Sequence, residues 1–338
     1  MFDFLGSIGG AIMTPLYYFT SGIVLAWHWL FEQIGLDPDA GWSWALAIVG
    51  LTLTIRAMLI PLFVKQINSS RNMQLIQPQL QELRKKYGHD RERFAQEQMK
   101  LFQETGTNPF SSCMPLLLQM PIFFALFRVI DQASRKGADG AKGFLTGEQA
   151  ESLANAEWLG GRIADTFMSS EHLETKIIAM IMVVAMCATQ FFTQKQLMTK
   201  NMTPEALNGP FAQQQKILLY VLPVVFAVSG VAFPLGVLVY WTTSNLWTAG
   251  QQYWVIRNNP APGTPAFKAK QQRDLAKGKT VQPDPAIQVE TETEAQRIKR
   301  QQPKKQTRDQ RRKSGSPQPK QAKPKPKSNK PGQEDPDE

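Results

Sequence analysis

The residue with the clearest potential for chemistry is an arginine inside an apolar run. Arg56 stands in "LTLTIRAMLIP", residues 51–61, a segment that is otherwise typical of a membrane-spanning helix. A guanidinium stays charged in proteins, and a central arginine costs about 2.5 to 3.5 kcal/mol on insertion scales. Each neighbouring Leu or Ile contributes roughly 0.3 to 0.6 kcal/mol in favour of insertion, so the segment can still enter a bilayer. The charge must then face water or an anion.

The other long apolar runs contain neutral polar residues and no acid or histidine that could pair with Arg56. These residues are Gln119, Thr189, Gln190, Thr193, Gln194, Thr242, Thr243, Ser244, Asn245, Thr248, Gln251 and Gln252. Hydrogen bonds between helices would explain any one of them, but not Arg56. A water-filled cavity lined by Arg56 and some of the amides would explain both. Arg56 would then be a receptor for an acidic group.

Enzyme signatures are absent from the sequence. There is no GxxxxGK[ST] phosphate loop and no HExxH motif, and the three histidines are far apart. Cys113 and Cys187 both lie in apolar runs and form neither a disulfide framework nor a metal-ligand pattern. We therefore expect no catalytic residue, no metal, no cofactor and no ATP hydrolysis. A secondary transporter would more often show two repeated halves, and the sequence contains no internal repeat. The five apolar runs described next also cannot divide into two equal halves.

Five apolar runs have about the length of roughly 20 residues that a spanning helix needs. They are residues 44–64, 110–130, 177–194, 217–233 and 235–256. Lysines and arginines follow the first, third and fifth runs, which places those loops in the cytoplasm, whereas the acid-rich segment 131–176 falls outside. The sequence thus predicts an all-α multi-pass protein of the plasma membrane, with a five-span core at 44–256 and a cytoplasmic C-terminus.

The N-terminal segment, residues 1–43, leaves two alternatives open. Its apolar part, residues 11–31, is rich in Tyr and Trp, whose amphipathic rings favour the headgroup level. A helix lying on the outer face is one interpretation. A sixth span is the other.

The cytoplasmic insert at 65–109 has the pattern of a helical hairpin. A heptad seam runs along its first arm, a stripe of Ala95, Met99 and Phe102 marks the return arm, and Gln77-Pro78 should kink or restart the first arm. Gly88 suits a C′ position and Asp90 an N-cap. The seam residues are Met73, Ile76, Leu80, Leu83 and Tyr87. The exposed cations Arg84, Lys85 and Lys86 remain available for a ribosome or for anionic lipid.

The C-terminal tail, residues 257–338, carries the net charge. Residues 256–338 hold 20 Lys and Arg against 10 Asp and Glu, which accounts for the whole formal charge of +10. Few large apolar residues occur there, so we predict a disordered basic cytoplasmic tail. Its cluster around Arg311, Arg312 and Lys313 is the second candidate contact for ribosomal RNA or anionic lipid.

Several motifs in order resemble the YidC family of membrane protein insertases. They are "LTIRAMLIPLFVKQ", "MQLIQPQLQELRKKYG", "GTNPFSSCMPLLLQMPIFFALF" and "FPLGVLVYWTTSNLWTAGQQYWVI", within residues 14–256. The resemblance implies a five-span bundle whose hydrophilic groove is closed to the outside and open to cytoplasm and lipid. It also implies nascent membrane proteins as substrates, and ribosome, Sec channel and membrane lipids as partners, with no nucleotide required.

In the family pattern the groove arginine corresponds to Arg56, and Gln190 and Trp241 would also line the groove; we add Gln119 and Asn245 as candidates. The large extracytoplasmic domain of some members and the lipoprotein cysteine of others are missing. The first departure leaves core insertion intact, and the second puts the usual N-terminal anchoring in doubt. The runner-up function is a channel or transporter for a small anion, and the third is an assembly scaffold. The hairpin and the basic tail favour the insertase.

Overall fold

The computed structural model describes residues 2–107, 114–203, 206–207 and 210–281. The predicted α-helical class is confirmed for these residues, apart from one two-residue hairpin of β1 (Glu157–Trp158) and β2 (Gly161–Arg162). The helices are α1 (Phe2–Gln33), α2 (Gly41–Met58), α3 (Ile60–Leu75), α4 (Gln77–Tyr87), α5 (Arg91–Glu104), α6 (Met114–Lys136), α7 (Gly147–Asn155), α8 (Leu173–Asn201), α9 (Pro210–Gly230), α10 (Leu235–Asn258) and α11 (Pro265–Ala276).

Helices α2, α6, α8, α9 and α10 occupy the five predicted runs. Among the described residues, α2 and α8 are long and apolar enough to cross a membrane, and Gln215–Gly230 is a shorter apolar helix. The Thr, Ser, Asn and Gln residues of α10 lower its average hydropathy. The number of spans therefore stays a prediction.

The first predicted run is not one uninterrupted helix. Helix α2 ends at Met58 and α3 begins at Ile60, with Leu59 between them at φ −86° and ψ −3°. Pro61 stands in the first turn of α3 and has no N–H to donate to the preceding turn. The chain continues in nearly the same conformation but with a break at Leu59, three residues after Arg56.

The main core joins α2, α6 and α10. It is formed by fully buried side chains of these helices and of the segment after β2, among them Ile48, Leu51, Leu126, Ile130, Val237 and Ile163. Gly236 lies where a Cβ atom would come within 2.8 Å of Ile163, so the first turn of α10 packs closer than any side chain would allow. The outer segment also supplies acceptors for this turn, since Leu235 N–H donates to the Asp165 carbonyl at 2.9 Å.

The predicted extracytoplasmic segment 131–176 is folded against α1 and α2. Helix α7 begins with a capping box between Thr146 and Gln149. The hydroxyl of Ser21 on α1 accepts a hydrogen bond from the Phe144 N–H at 2.9 Å. Trp27 of α1 donates through Nε1 to Thr54 Oγ1 of α2 at 2.9 Å. Helix α1 is thus fixed to both neighbours.

The hairpin is confirmed as two helical arms, α4 and α5. The arm restarts at Gln77 with Pro78 in its first turn, and Asp90 caps α5 by accepting from Arg93 N–H at 3.0 Å. Ile76 and Phe102 are buried.

Two details of the hairpin were predicted wrongly. Gly88 has a right-handed backbone with φ −63°, because the turn is closed by Asp90 N–H bonding the Tyr87 carbonyl, which requires no left-handed residue. Ala95 and Met99 are exposed, since α4 covers only part of α5.

The prediction of disorder from residue 257 onward was also wrong for the first part of the tail, which contains α11. Thr264 is fully buried and caps α11 by accepting from Phe267 N–H at 3.2 Å. Asn201 at the end of α8 accepts from Ala261 N–H at 2.8 Å, which fixes the connection to α11. Composition missed this helix because its position depends on these caps more than on apolar area. Residues 282–338, with Arg311, Arg312 and Lys313, lie outside the described residues.

Candidate functional site

Arg56 lies two residues before the end of α2, about 22 Å from Gly41 at 1.5 Å per residue. Its Nη2 donates to the hydroxyl of Ser244 on α10. Within the part of the chain that the structure describes, Arg56 Nε has no hydrogen-bond partner, and no ion pair joins Arg56 to a carboxylate. The guanidinium therefore meets a neutral partner and keeps donor capacity unused.

Gln119 of α6 belongs to the same polar cluster. Tyr240 precedes Ser244 by one turn of α10, so both side chains lie on one face. The Tyr240 hydroxyl accepts a hydrogen bond from Gln119 Nε2. Two polar contacts thus join three helices at one level of the bundle.

The packing changes along the helices at this level. In α10 the six residues 235–240 are all buried, whereas Leu246, Tyr253 and Trp254 are exposed. The same change occurs in α6, whose buried residues include Phe123, Leu126 and Ile130. Its exposed residues before Ile122 are Met114, Leu117, Leu118 and Met120. The helices are closely packed on the side of the 131–176 segment and less covered toward the hairpin, and the Arg56 cluster lies where the change occurs.

The other predicted groove residues lie elsewhere on α8 and α10. Asn245 is buried and donates to the Met186 carbonyl of α8 at 3.5 Å, the outer limit for such a bond. Gln190 follows Met186 by one helical turn and is half-buried on the same face of α8. Asn245 and Gln190 therefore belong to the α8–α10 contact.

Trp241 is not brought together with Arg56. Its ring packs against Phe226 with centroids 4.5 Å apart, Phe123 at 5.1 Å and Phe233 at 5.8 Å. It follows Tyr240 directly, so it points about 100° around α10 from the polar cluster. Within the described residues Trp241 is part of an aromatic cluster between α6, α9 and α10.

Tyr240 was missed, and Ser244 was noted but not selected. The signal was present in "YWTTS", where a tyrosine and a serine four residues apart must share a helix face. It could not show which face met Arg56, because that depends on the rotation of α10 against α2.

The basic residues of the hairpin are exposed in the last turn of α4. They are Arg84, Lys85 and Lys86. Cations at a helix C-terminus interact favourably with the helix dipole, and Lys86 Nζ also lies 4.8 Å from the centre of the Tyr87 ring. These charges stabilise the hairpin locally and remain accessible.

The helical fold, its apolar core beside segment 131–176 and an arginine that has no carboxylate partner among the described residues are typical of a helical membrane protein with a polar site inside the bundle. The family follows from comparison of sequences. The family model of the 60Kd inner membrane protein matches residues 35–262, and the chain belongs to this family.

Relatives in this family are named as insertases, which confirms the resemblance. The chain is 42% identical over 276 residues to the membrane protein insertase YidC of Streptomyces avermitilis, covering 79% of this chain and 62% of that protein. It is 36% identical over 288 residues to the membrane protein insertase YidC of Tropheryma whipplei, covering 81% of this chain and 91% of that one. The chain therefore spans less than two thirds of the Streptomyces relative.

A crystal structure of an active YidC insertase with its first transmembrane domain resolved is also similar. Its sequence is 25% identical to that of this chain. The match covers 70% of this chain and 45% of the YidC chain, with a TM-score of 0.44.

Proposed function

We propose that this chain is a membrane protein insertase of the bacterial plasma membrane. It receives nascent membrane proteins from the cytoplasmic side and passes them through a hydrophilic groove into the bilayer without nucleotide hydrolysis. The observation that carries the proposal is Arg56, a cation within α2 that, among the described residues, donates a hydrogen bond to the neutral Ser244 and has no partner for its Nε. Membership in the 60Kd inner membrane protein family supports the same function.

The proposed topology has five spans, formed by α2 with the start of α3, and by α6, α8, α9 and α10. The hairpin and the C-terminus are cytoplasmic, and segment 131–176 is outside. Helix α1 lies across the outer face in this scheme. Contacts at separate turns of α1 support it, since Tyr18 packs on Phe144 of the outer segment and His28 donates to the Pro38 carbonyl before α2. A sixth span is the alternative.

The groove shortens the dry part of the path that a substrate must cross. A substrate helix must carry its polar tail across the bilayer. Each polar group without a hydrogen-bond partner in hydrocarbon raises the free energy by roughly several kcal/mol. A wet groove from the cytoplasm to Arg56 leaves only the outer half of the bundle to pass. Arg56 attracts acidic groups of the tail to the end of the groove.

Release follows from the lipid and from the membrane potential. The apolar span of the substrate partitions into lipid, and outward movement of an acidic tail gains about 2.3 kcal/mol per charge per 100 mV of inside-negative potential. A transient attraction between Arg56 and the acidic tail suits this step, because a permanent ion pair would hold the substrate.

The proposed partners are nascent membrane proteins and membrane lipids, with the ribosome and the Sec channel as further candidates. The hairpin cations Arg84, Lys85 and Lys86 are exposed and support a contact with ribosomal RNA or anionic lipid. Gln190 and Asn245 supply polar groups along the α8–α10 contact.

The test is insertion by the full chain in proteoliposomes, with two substrates that differ only in an acidic or a neutral translocated tail. Arg56→Ala should slow the acidic substrate by about tenfold or more, because a charged hydrogen bond contributes roughly 1.5 to 3 kcal/mol. Arg56→Lys should largely preserve insertion, since the attraction depends on the positive charge more than on the forked arrangement of the guanidinium N–H donors. Arg135→Ala is the control, because it removes an exposed cation paired with Asp131. Insertion of the acidic substrate at the unmodified rate by Arg56→Ala would refute the electrostatic role.

A channel or transporter for a small anion is the second candidate. The unused donor of Arg56 favours it, because the same atom could bind chloride or phosphate. Anion flux through the protein in substrate-free liposomes, lost in Arg56→Ala, would decide for this candidate. An assembly scaffold would show neither flux nor dependence of insertion on Arg56.

A further inference from the structure

A second cationic site lies at the ends of α8 and α10, away from the Arg56 cluster. The last turns of these two helices and one face of α11 enclose a cleft of ≈ 480 Å³. Residues that give the cleft its chemistry are Gln196, Lys200, Tyr253, Arg257, Ala269 and Arg273. Three of these six carry a positive charge, and among the described residues no acidic side chain lines the cleft.

The cleft is built by specific contacts that hold α11 in place. Asn201 binds the Ala261 N–H, and its own carbonyl accepts from Gln74 Nε2 of α3 at 3.2 Å. From the other end of α11, Arg273 Nη2 donates to the Arg257 carbonyl at 2.6 Å. Arg273 thus satisfies a carbonyl in the last turn of α10, where a cation is favoured. The walls of the cleft are therefore fixed at both ends.

Lys200 and Arg257 supply the charge that the scaffold does not neutralise. Both side chains are exposed, and neither forms an ion pair within the described part of the chain. Arg257 Nη1 makes one long contact to the Tyr253 hydroxyl, at 3.4 Å. Two cations beside a concave surface without a carboxylate favour an anion with several acceptor oxygens, and a phosphate group fits that chemistry.

The surroundings of the cleft indicate where the phosphate comes from. Tyr253 and Trp254 are exposed by 55% and 61% in the last turns of α10. Exposed Tyr and Trp at the end of a spanning helix are typical of the headgroup level of a bilayer. The volume of the cleft falls within the usual range for small-molecule sites, about 300 to 1,000 Å³.

We propose that this cleft binds the phosphate of an anionic phospholipid of the cytoplasmic leaflet, with Lys200 and Arg257 as the phosphate ligands. Arg273 positions Arg257 and closes the cleft from the side of α11. The proposal uses the membrane orientation given under Proposed function but not the insertase activity. A lipid at this position would join α8, α10 and α11 at the membrane surface.

The experiment measures binding to the purified full chain in neutral detergent by native mass spectrometry. Short-chain phosphatidylglycerol is titrated, with phosphatidylcholine of the same chain length as the net-neutral comparison and inorganic phosphate as the competitor. The variants are Lys200→Gln and Arg257→Gln. Lys268→Gln is the matched control, because Lys268 lies on α11 and is exposed but does not line the cleft. Thermal unfolding without lipid checks that each variant is folded.

We expect one phosphatidylglycerol to bind more tightly than phosphatidylcholine. Each of Lys200→Gln and Arg257→Gln should raise its dissociation constant by about tenfold, whereas Lys268→Gln should leave it unchanged. Equal binding by all three variants would overturn the site. Displacement of the lipid by an equal concentration of inorganic phosphate would overturn the lipid as the source of the phosphate. Because insertion is not measured, failure here leaves the proposed function standing.

Discussion

Replacing Ser244 with alanine tests whether water reaches Arg56. The substitution removes the hydroxyl that accepts from Arg56 Nη2, in a side chain that is 5% exposed. In a dry core this would leave Nη2 unpaired as well as Nε, and an uncompensated buried charge costs about 3 to 5 kcal/mol. In a wet groove water replaces the hydroxyl, and the loss should stay below about 1 kcal/mol.

Ser21 offers a matched serine on the closely packed side of the bundle, next to segment 131–176. Its side chain is fully buried and accepts from the Phe144 N–H at 2.9 Å. Ser21→Ala leaves a backbone donor without an acceptor where packing excludes water, so we expect a loss of about 1 to 3 kcal/mol. The hydroxyl removed is the same in both variants, and the surroundings differ.

The assay is reversible unfolding of the full chain in mixed micelles, which gives a free energy of unfolding for each variant. We expect Ser244→Ala to lose less stability than Ser21→Ala. A loss of about 3 kcal/mol or more in Ser244→Ala would refute a hydrated groove at Arg56.

Three further predictions concern packing and ribosome contact. Gly50→Ala should lower the free energy of unfolding by roughly 1 to 3 kcal/mol, because its Cβ would lie 2.4 Å from the Trp27 ring. Gly250→Ala is the control and should be neutral or stabilising, because a Cβ there meets open space. Thermal unfolding measures both variants. Joint replacement of Arg84, Lys85 and Lys86 by glutamine should weaken ribosome co-sedimentation at low salt; unchanged binding would exclude the hairpin as a docking surface. Truncation after residue 281 should preserve the melting temperature and weaken the same co-sedimentation, and a lowered melting temperature would mean that the removed tail stabilises the fold.

Local and compositional signals in the sequence were sufficient for several elements. Arg56 was singled out because a charge within an apolar run has few explanations, although its role stays a prediction, and the hairpin was found from its seam and its Asp90 N-cap. Asp90 was identified as an N-cap because its effect is confined to one turn. Such features depend on neighbours within a few residues, which a single sequence contains.

Features that depend on contacts between distant segments could not be predicted. The pairing of Arg56 with Ser244 joins residues 188 positions apart, and the sequence does not give the rotation of α10. For the same reason the sequence could not show that the Trp241 ring packs among phenylalanines, and its place in the groove stays a prediction. The connection before α11 could not be predicted either, because Asn201, 60 positions earlier in the sequence, fixes it by accepting from the Ala261 N–H.

The close packing of the bundle beside segment 131–176, the outer half in the proposed topology, bears on the ion gradients of the cell. Gly236 brings the first turn of α10 against Ile163, Ile130 and Ile48, so within the described residues this turn is closely packed against its neighbours. Arg56, at the inner boundary of this packed layer, repels protons and metal cations that enter the proposed groove. A groove that ends at Arg56, as we propose, can stay hydrated without dissipating the proton-motive force, so the membrane potential proposed to act on acidic tails is preserved between substrates.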